Sequence, residues 1–138
     1  YDAPANVNWE YAFFRTSIEI ANLSFINAVS LRGIFQGCST LKKISSNIFE
    51  NSPSINDLSS CFANCSNLSE GVEEDMFDYL DNIYSVDSLF MNCSSITSNV
   101  PRLWERKEAE SIYHNNCFYN CINAANYDEI PDDWKTYK

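Results

Sequence analysis

A Phe-x-x-Cys phrase recurs four times along this chain of 138 residues, and it constrains the fold more than any other feature of the sequence. Successive phenylalanines are separated by 27, 28 and 28 residues, a period typical of architectures in which one structural unit is copied and stacked. A degenerate fifth copy, Phe14-Arg15-Thr16-Ser17, lies further upstream. The four full copies begin at Phe35, Phe62, Phe90 and Phe118 and end at Cys38, Cys65, Cys93 and Cys121.

Apolar residues also occupy the same columns in successive copies. Upstream of each phenylalanine they follow helical spacing, as in Ile55, Leu58 and Cys61. Downstream, aliphatic pairs such as Leu41 and Ile44 are typical of a short strand with one buried face. The predicted helices lie near residues 30–36, 56–63, 84–91 and 111–119. The predicted parallel strands lie near residues 41–45, 68–72, 96–100 and 126–130, with a further one near 18–20.

The residue before each cysteine is a glycine or an asparagine, at Gly37, Asn64, Asn92 and Asn120. These two residue types best tolerate the left-handed backbone that ends a helix, so each helix is expected to stop there. One coil of such a repeat cannot bury its own apolar stripe, and neighbouring coils must therefore stack. We expect a single α/β solenoid domain over residues 1–138. Residues 1–28 form an atypical N-terminal cap or cut end, and residues 29–134 form the regular repeats.

The Phe-x-x-Cys-Ser-x-Leu phrase, at residues 35–41 and 62–68, resembles the BspA-like leucine-rich-repeat family of bacterial surface proteins. Similar repeats occur in tail and fibre proteins of bacteriophages. The resemblance covers roughly residues 12–134 and implies an α/β leucine-rich-repeat solenoid of about four to five units with short parallel strands and short helices. It also implies an extracellular location, on a bacterial cell surface or a phage virion. The chain departs from the family pattern at Ser17, which stands in the cysteine column, and in the charged stretch 101–110.

Six cysteines in a short surface-type chain would ordinarily suggest disulfides. Here the cysteine columns interchange with other residues: Cys61 shares a column with Ile34, and Cys38 shares one with Ser17. Such positions behave as small buried hydrophobes, which favours free thiols over disulfides. Zinc is disfavoured because the four ligands would come from different coils.

The charge balance excludes some partners. Nineteen acidic residues against nine basic ones give a net charge of -10, which would repel a phosphate backbone and an anionic membrane surface. No apolar run approaches the roughly 18 to 20 residues of a membrane span. The chain also has no initiator methionine, and we expect it to be a piece of a longer protein.

No catalytic or metal-binding set emerges from the sequence. His114 is the only histidine, and no nucleophile lies near it with a second polar partner. Acidic runs such as residues 73–75 have no calcium-loop pattern and are predicted to be solvated. We therefore expect no enzyme activity, no cofactor and no metal.

Tyrosines outside the core columns are the best candidates for a binding surface, because they combine a large contact area with a polar tip. We expect Tyr84, Tyr113 and Tyr119 to contribute, together with the polar strand-face residues Lys42, Lys43 and Glu70. The predicted structural ladder consists of the four phenylalanines and four cysteines of the repeat. These features favour a non-enzymatic adhesion module that recognises a protein or a glycan. The alternative is an architectural spacer or assembly segment of a larger surface or fibre protein.

Overall fold

The computed structural model of the chain describes residues 7–136, and two parallel ladders run along it. In the first ladder, β1 (Val7–Asn8) pairs with β3 (Ala28–Ser30). Single parallel bridges then join Ser30 to Asp57, Asp57 to Ser85, and Ser85 to Tyr113. Each copy of the repeat therefore lies directly beside the next copy. We call residues 9–30, 31–57, 58–85, 86–113 and 114–136 the coils.

The second ladder is shorter. β2 (Ile20–Ala21) pairs in parallel with β4 (Lys43–Ile44), and a bridge from Lys43 to Glu70 extends it by one coil. Within residues 7–136, the remaining regular elements are three 3-10 helices and one short helix, α1 (Asp132–Lys135). The 3-10 helices are Leu103–Glu105, Ala109–Ser111 and Tyr127–Glu129.

A stack of phenylalanine rings forms the centre of the core. Neighbouring ring centroids are 5.5 Å apart for Phe13 and Phe35, 5.6 Å for Phe35 and Phe62, 5.5 Å for Phe62 and Phe90, and 5.9 Å for Phe90 and Phe118. All four pairs are within 11° of parallel. Because each ring belongs to a different coil, burial of this stack depends on the coils packing together.

The first ring of the stack corrects the predicted register of the N-terminal copy. Phe13 occupies the phenylalanine column, whereas Phe14 is 41% exposed. Thr16 accordingly replaces cysteine, and its Oγ1 lies 3.5 Å from the Cys38 Sγ. The assignment of Phe14 and Ser17 to these columns was wrong by one residue, because the first unit is shorter and lacks the cysteine that marks the register.

The four predicted helices are also wrong. After β3, the N–H groups of Ile34 and Gln36 donate to the carbonyls three residues back (3.1 Å each). The N–H groups of Gly33 and Phe35 instead donate to carbonyls of the next coil (2.9 Å each). In an α-helix, each N–H beyond the first turn donates to the carbonyl four residues back. The chain therefore forms successive β-turns that are hydrogen-bonded to the neighbouring coil. We call residues 9–16, 31–38, 58–65, 86–93 and 114–121 the turn segments.

Each turn segment contains two left-handed residues, four positions apart. The second member of each pair in the regular copies is the glycine or asparagine before the cysteine, and the first member was not anticipated. A positive φ at the third residue of a hydrogen-bonded turn is typical of a type II turn. The pairs are Tyr11 and Arg15, Gly33 and Gly37, Ser60 and Asn64, Ser88 and Asn92, and Asn116 and Asn120.

The predicted strands are shorter than expected or absent. Residues 41–45 contain β4, the segment 18–20 overlaps β2, and in 68–72 only Glu70 pairs. No strand forms at 96–100 or 126–130. The buried Asn126 side chain accepts from the Val100 N–H (2.9 Å) and donates to its carbonyl (3.0 Å). Because one amide side chain satisfies both backbone groups, strand pairing is replaced there, and a 3-10 helix follows.

Candidate functional site

Two exposed tyrosines lie at the C-terminal end of the first ladder. The Tyr113 N–H donates to the Tyr84 carbonyl (3.0 Å), and the Val86 N–H donates to the Tyr113 carbonyl (2.7 Å). Their backbones therefore lie side by side on adjacent coils. Tyr84 is 49% exposed and Tyr113 is 65% exposed, so both rings present surface to solvent.

A buried carboxylate supports this pair. Asp57 is only 5% exposed, and it accepts hydrogen bonds from the Tyr84 hydroxyl (3.2 Å) and the Ser59 N–H (2.9 Å). The negative charge of Asp57 raises the pKa of Tyr84, because it disfavours the phenolate. The hydrogen bond to Asp57 orients the Tyr84 hydroxyl.

Hydrogen bonds extend from this carboxylate to the next coil. The Ser59 and Ser85 hydroxyl oxygens are 2.6 Å apart, and the Asp87 carboxylate accepts from the Asn115 N–H (2.7 Å). In residues 7–136, no buried side-chain nitrogen or oxygen lacks a hydrogen-bond partner. We call Asp57, Ser59, Tyr84, Ser85 and Tyr113 the tyrosine site.

The third tyrosine that we predicted lies elsewhere. The Asn92 N–H donates to the Tyr119 carbonyl (2.8 Å), which places Tyr119 in the column just before the left-handed asparagines. Its side chain is 48% exposed. Tyr119 lies near the end of turn segment 114–121, whereas Tyr113 directly precedes that segment. The structure brings Tyr84 and Tyr113 together and leaves Tyr119 apart.

The predicted polar residues lie on the second ladder. Lys43 and Glu70 are bridged through their backbones, and their side chains form an exposed ion pair of 3.9 Å. The Ser69 N–H donates to the Lys42 carbonyl (3.0 Å), so Lys42 belongs to the same ladder. Exposed pairs of this kind contribute little free energy. These residues form a surface separate from the tyrosine site.

Sequence reasoning missed the buried polar residues of the tyrosine site. Ser30, Asp57 and Ser85 recur at one repeat spacing and share a ladder with Tyr113. A polar column inside an apolar pattern was the available signal. It was overlooked because the surrounding residues were interpreted as a helix, in which Asp57 would have lain near the start and faced solvent.

A second surface is strongly acidic. Two adjacent grooves, of about 790 Å³ and about 680 Å³, are both bordered by Glu73, Asp75 and Asp78. Arg102 borders the larger groove and binds Glu74 at 2.5 Å and Glu129 at 2.9 Å. The other residues along the two grooves are Ser46, Asn47, Glu50, Met76, Tyr79, Glu105, Arg106, Lys107 and Glu108.

The arginines of this surface have structural partners. The hydrogen bond from Arg102 lowers the pKa of Glu74, so this carboxylate remains ionised at lower pH than an ordinary glutamate. Arg106 donates to the carbonyls of Phe77 and Leu80 in the preceding coil and pairs with Glu108 at 2.7 Å. Both arginines therefore hold coils together.

The six cysteines are free thiols, and all of them are buried. The thiols of the repeat cysteines donate to the carbonyl of the stacked phenylalanine one coil back, at distances from 2.8 to 3.1 Å. Burial raises the pKa of Cys65 and of Cys121 to about 12, which leaves almost no thiolate at neutral pH. A nucleophilic role requires the thiolate.

His114 packs at the last turn segment. Its ring stacks on Trp134 with centroids 4.1 Å apart, and its Nε2 lies 3.1 Å from the Asp133 carboxylate. The Nδ1 donates to the Ile112 carbonyl (2.7 Å). These contacts attach the C-terminal residues to the last coil.

No family model matches the chain, and neither a curated protein nor a solved structure is significantly similar to it. Among residues 7–136, no group of three or more His, Cys, Asp or Glu side chains is arranged to hold a metal ion. The helices in this part of the chain are all too short to cross a membrane.

Proposed function

We propose that this chain is a leucine-rich-repeat-type solenoid and acts as a non-enzymatic binding module. Its ligand is a protein or a glycan, bound at the tyrosine site. The observation that carries this proposal is the pair of exposed tyrosines, Tyr84 and Tyr113, on adjacent coils above a buried, hydrogen-bonded Asp57. A location on a bacterial cell surface or a phage virion rests on the repeat resemblance alone.

The physical chemistry of the site supports recognition. Exposed aromatic rings bury a large area at low entropic cost, and they stack on sugar faces or apolar side chains. The hydrogen bond to Asp57 fixes the Tyr84 hydroxyl before a ligand arrives, which reduces the ordering cost of binding.

The test is a glycan array together with a host-cell binding assay on the isolated chain. The informative variant is Tyr84→Ala with Tyr113→Ala, because both rings are exposed and their loss leaves the apolar core intact. Tyr119→Ala is the matched control, since it removes an equally exposed tyrosine from a different column. We expect the double variant to lose binding and the control to retain it.

Three results would count against the tyrosine site. Binding that survives the double variant would move recognition to another surface. Binding lost equally in the control would point to a diffuse effect. The absence of any binding partner would favour the architectural alternative, which is supported by the stack of rings that runs through all five turn segments.

A further inference from the structure

One column of the first ladder carries a short polar residue at every position except the last. Asn8, Ser30, Asp57, Ser85 and Tyr113 pair in series along the stack. The first four side chains each accept a hydrogen bond from the backbone N–H two residues further on, at 2.8 to 3.4 Å. Short polar side chains commonly satisfy the backbone of a turn in this way, and a tyrosine side chain is too long to do so.

Tyr113 therefore departs from the structural requirement of its column. The Asn115 N–H, two residues after Tyr113, donates instead to the Asp87 carboxylate of the preceding coil (2.7 Å). The Tyr113 side chain is left 65% exposed. A short polar residue would satisfy this backbone without help from another coil, so the local backbone does not explain the tyrosine. Its ring is available to a ligand.

Asp57, in the same column, is a buried carboxylate without a cation in contact. It is 5% exposed, and it accepts hydrogen bonds from the Ser59 N–H and the Tyr84 hydroxyl. Among residues 7–136, no Lys, Arg or His nitrogen lies within 4.0 Å of it. A buried charge without a counter-ion is unfavourable, and contact with a cation offsets part of that penalty.

Arg32 is a cation that acts on this carboxylate from a greater distance. The pKa of Arg32 is raised, mainly by Tyr11 and further by the charges of Asp57 and Glu10. Its side chain is exposed, and it forms no ion pair with a carboxylate of residues 7–136. The carboxylates of Glu10, Asp57 and Asp87 outnumber this guanidinium, so this part of the first ladder keeps a negative charge.

Two exposed aromatic rings beside negative charge are suited to bind a cation. The face of a tyrosine ring attracts an ammonium or guanidinium group that lies within about 6 Å of the ring centre. Tyr84 and Tyr113 supply such rings on adjacent coils, and Asp57 contacts the Tyr84 hydroxyl. The net charge of -10 also steers basic partners toward the chain and repels acidic ones.

We propose that the tyrosine site binds a basic side chain, a lysine or an arginine, on the surface of a protein partner. This inference rests on the proposed function and narrows its ligand from a protein or a glycan to a protein. The bound cation packs against the Tyr84 and Tyr113 rings and compensates the charge of Asp57. Arg32 competes with it for the same carboxylate and limits its affinity.

The experiment titrates the full chain with a blocked pentapeptide that contains two lysines and follows the tyrosine and backbone signals by NMR. The same peptide with glutamines in place of the lysines is the neutral probe. We expect the lysine peptide to shift the signals of Tyr84 and Tyr113, with an affinity that falls as the salt concentration rises. Equal binding of both peptides would overturn the proposal, and so would shifts confined to the grooves bordered by Glu73 and Asp78.

Asp57→Asn removes the charge at the site and keeps a side chain that can hydrogen-bond to Ser59 and Tyr84. Asp75→Asn is the matched control, because it removes the same charge from an exposed position beside the acidic grooves. Asp57→Asn should weaken binding of the lysine peptide at the tyrosines about tenfold, whereas Asp75→Asn should change it by less than about twofold. Equal losses would assign the binding to net charge alone and contradict the proposal.

Arg32→Ala is a second test that leaves Asp57 intact, because the Arg32 side chain is exposed. Loss of the competing cation should strengthen binding of the lysine peptide about threefold. Lys107→Ala changes the net charge equally at an exposed position bordering the larger acidic groove, and it should not strengthen binding at the tyrosines. If Asp57→Asn unfolds the chain, this pair decides, and an unchanged affinity in Arg32→Ala would overturn the proposal.

A neutral glycan distinguishes failure of this inference from failure of the proposed function. Salt-insensitive binding of such a glycan at Tyr84 and Tyr113, unaffected by Asp57→Asn, would overturn the basic side chain as ligand and retain the tyrosine site. Host-cell binding that survives Tyr84→Ala with Tyr113→Ala would refute the proposed function, and this inference with it.

Discussion

The repeat cysteines connect adjacent coils through burial and through a thiol hydrogen bond. Each repeat cysteine is fully buried and donates its thiol hydrogen to a phenylalanine carbonyl of the previous coil. Each of these carbonyls also accepts a backbone N–H from its own turn segment, so the thiol donates to the remaining lone pair while adding almost no polar surface. In the first coil Thr16 takes this column, where it is exposed and its hydroxyl remains partly solvated.

Phe62 tests the ring stack directly. The side chain is fully buried between the rings of Phe35 and Phe90. Phe62→Ala leaves a cavity and removes two ring contacts, so we expect the free energy of unfolding to fall by about 3 to 5 kcal/mol. Phe14→Ala, on a partly exposed ring that packs edge-on against Tyr11, is the control and should lower it by less than about 1.5 kcal/mol. Denaturant titration measures both, and a loss below about 1 kcal/mol for Phe62→Ala would contradict the stack.

Alkaline pH tests the buried thiols. The pKa values of Cys65 and Cys121 lie near 12 in the folded chain, against 9.0 ordinarily. Between these values the unfolded chain releases thiol protons that the folded chain retains. The stability that these thiols contribute is therefore complete below pH 9 and is lost as pH rises, by about 1.4 kcal/mol per thiol and pH unit. Denaturant titrations from pH 8 to about pH 10.5 measure this slope. The double variant Cys65→Ala, Cys121→Ala should show a shallower decline, and parallel curves would exclude this source.

At the scale of elements, the turn segments replace the helices that the apolar spacing predicted. Their N–H groups alternate between the turn itself and the next coil, and this pattern requires two left-handed residues in each segment. Glycine fills both positions in the second coil, at Gly33 and Gly37. Ser60 and Ser88 also adopt a positive φ, although serine tolerates this conformation less well than glycine or asparagine does.

Ser88→Gly should stabilise the chain. Ser88 has a φ of 58°, a left-handed conformation that costs a residue with a Cβ about 1 to 2 kcal/mol. Glycine relieves this strain but loses more backbone entropy on folding, so the expected net gain is about 0.5 to 1 kcal/mol. Thermal or denaturant unfolding measures it. Ser88→Ala keeps the strain and should give no gain, and equal effects of the two variants would refute the explanation.

At the scale of the whole molecule, contacts connect each coil only to its neighbours along the stack. The first coil has a neighbour on one side within the described residues, whereas the coil that contains Phe62 has neighbours on both sides. In such quasi-one-dimensional structures, stability is approximately the sum of coil terms and interface terms. The terminal coils should therefore open more readily than the central ones.

Native-state hydrogen exchange tests this gradient. The Phe13 and Phe62 N–H groups each donate to the next coil at 2.9 Å, so their bonds are equivalent and only their positions in the stack differ. We expect the Phe62 amide to exchange through openings close to global unfolding and the Phe13 amide to exchange faster through local opening. Equal protection would show that the chain opens as one cooperative unit.

The repeat columns were sufficient to predict the buried phenylalanines of the four regular copies, since Phe35, Phe62, Phe90 and Phe118 are all inaccessible to solvent. They were not sufficient to predict the backbone. Apolar residues at positions i, i+3 and i+4 fit both a helix and a succession of turns, and the choice depends on hydrogen bonds to another coil. The sequence indicated Tyr84 and Tyr113 because they fall outside the apolar columns, whereas Asp57 lay within a predicted helix and was not singled out. A binding role for the two tyrosines stays a prediction.

The sequence alone determined the period, the stacked columns and the left-handed residues before the cysteines, because these depend on side-chain size and local backbone preference. Only the tertiary structure decided how the backbone N–H groups are satisfied, because their acceptors lie one full repeat away. It also decided which tyrosines are neighbours and how the C-terminal residues pack on the last coil. Such relations join residues about 28 positions apart, beyond the range of any local signal.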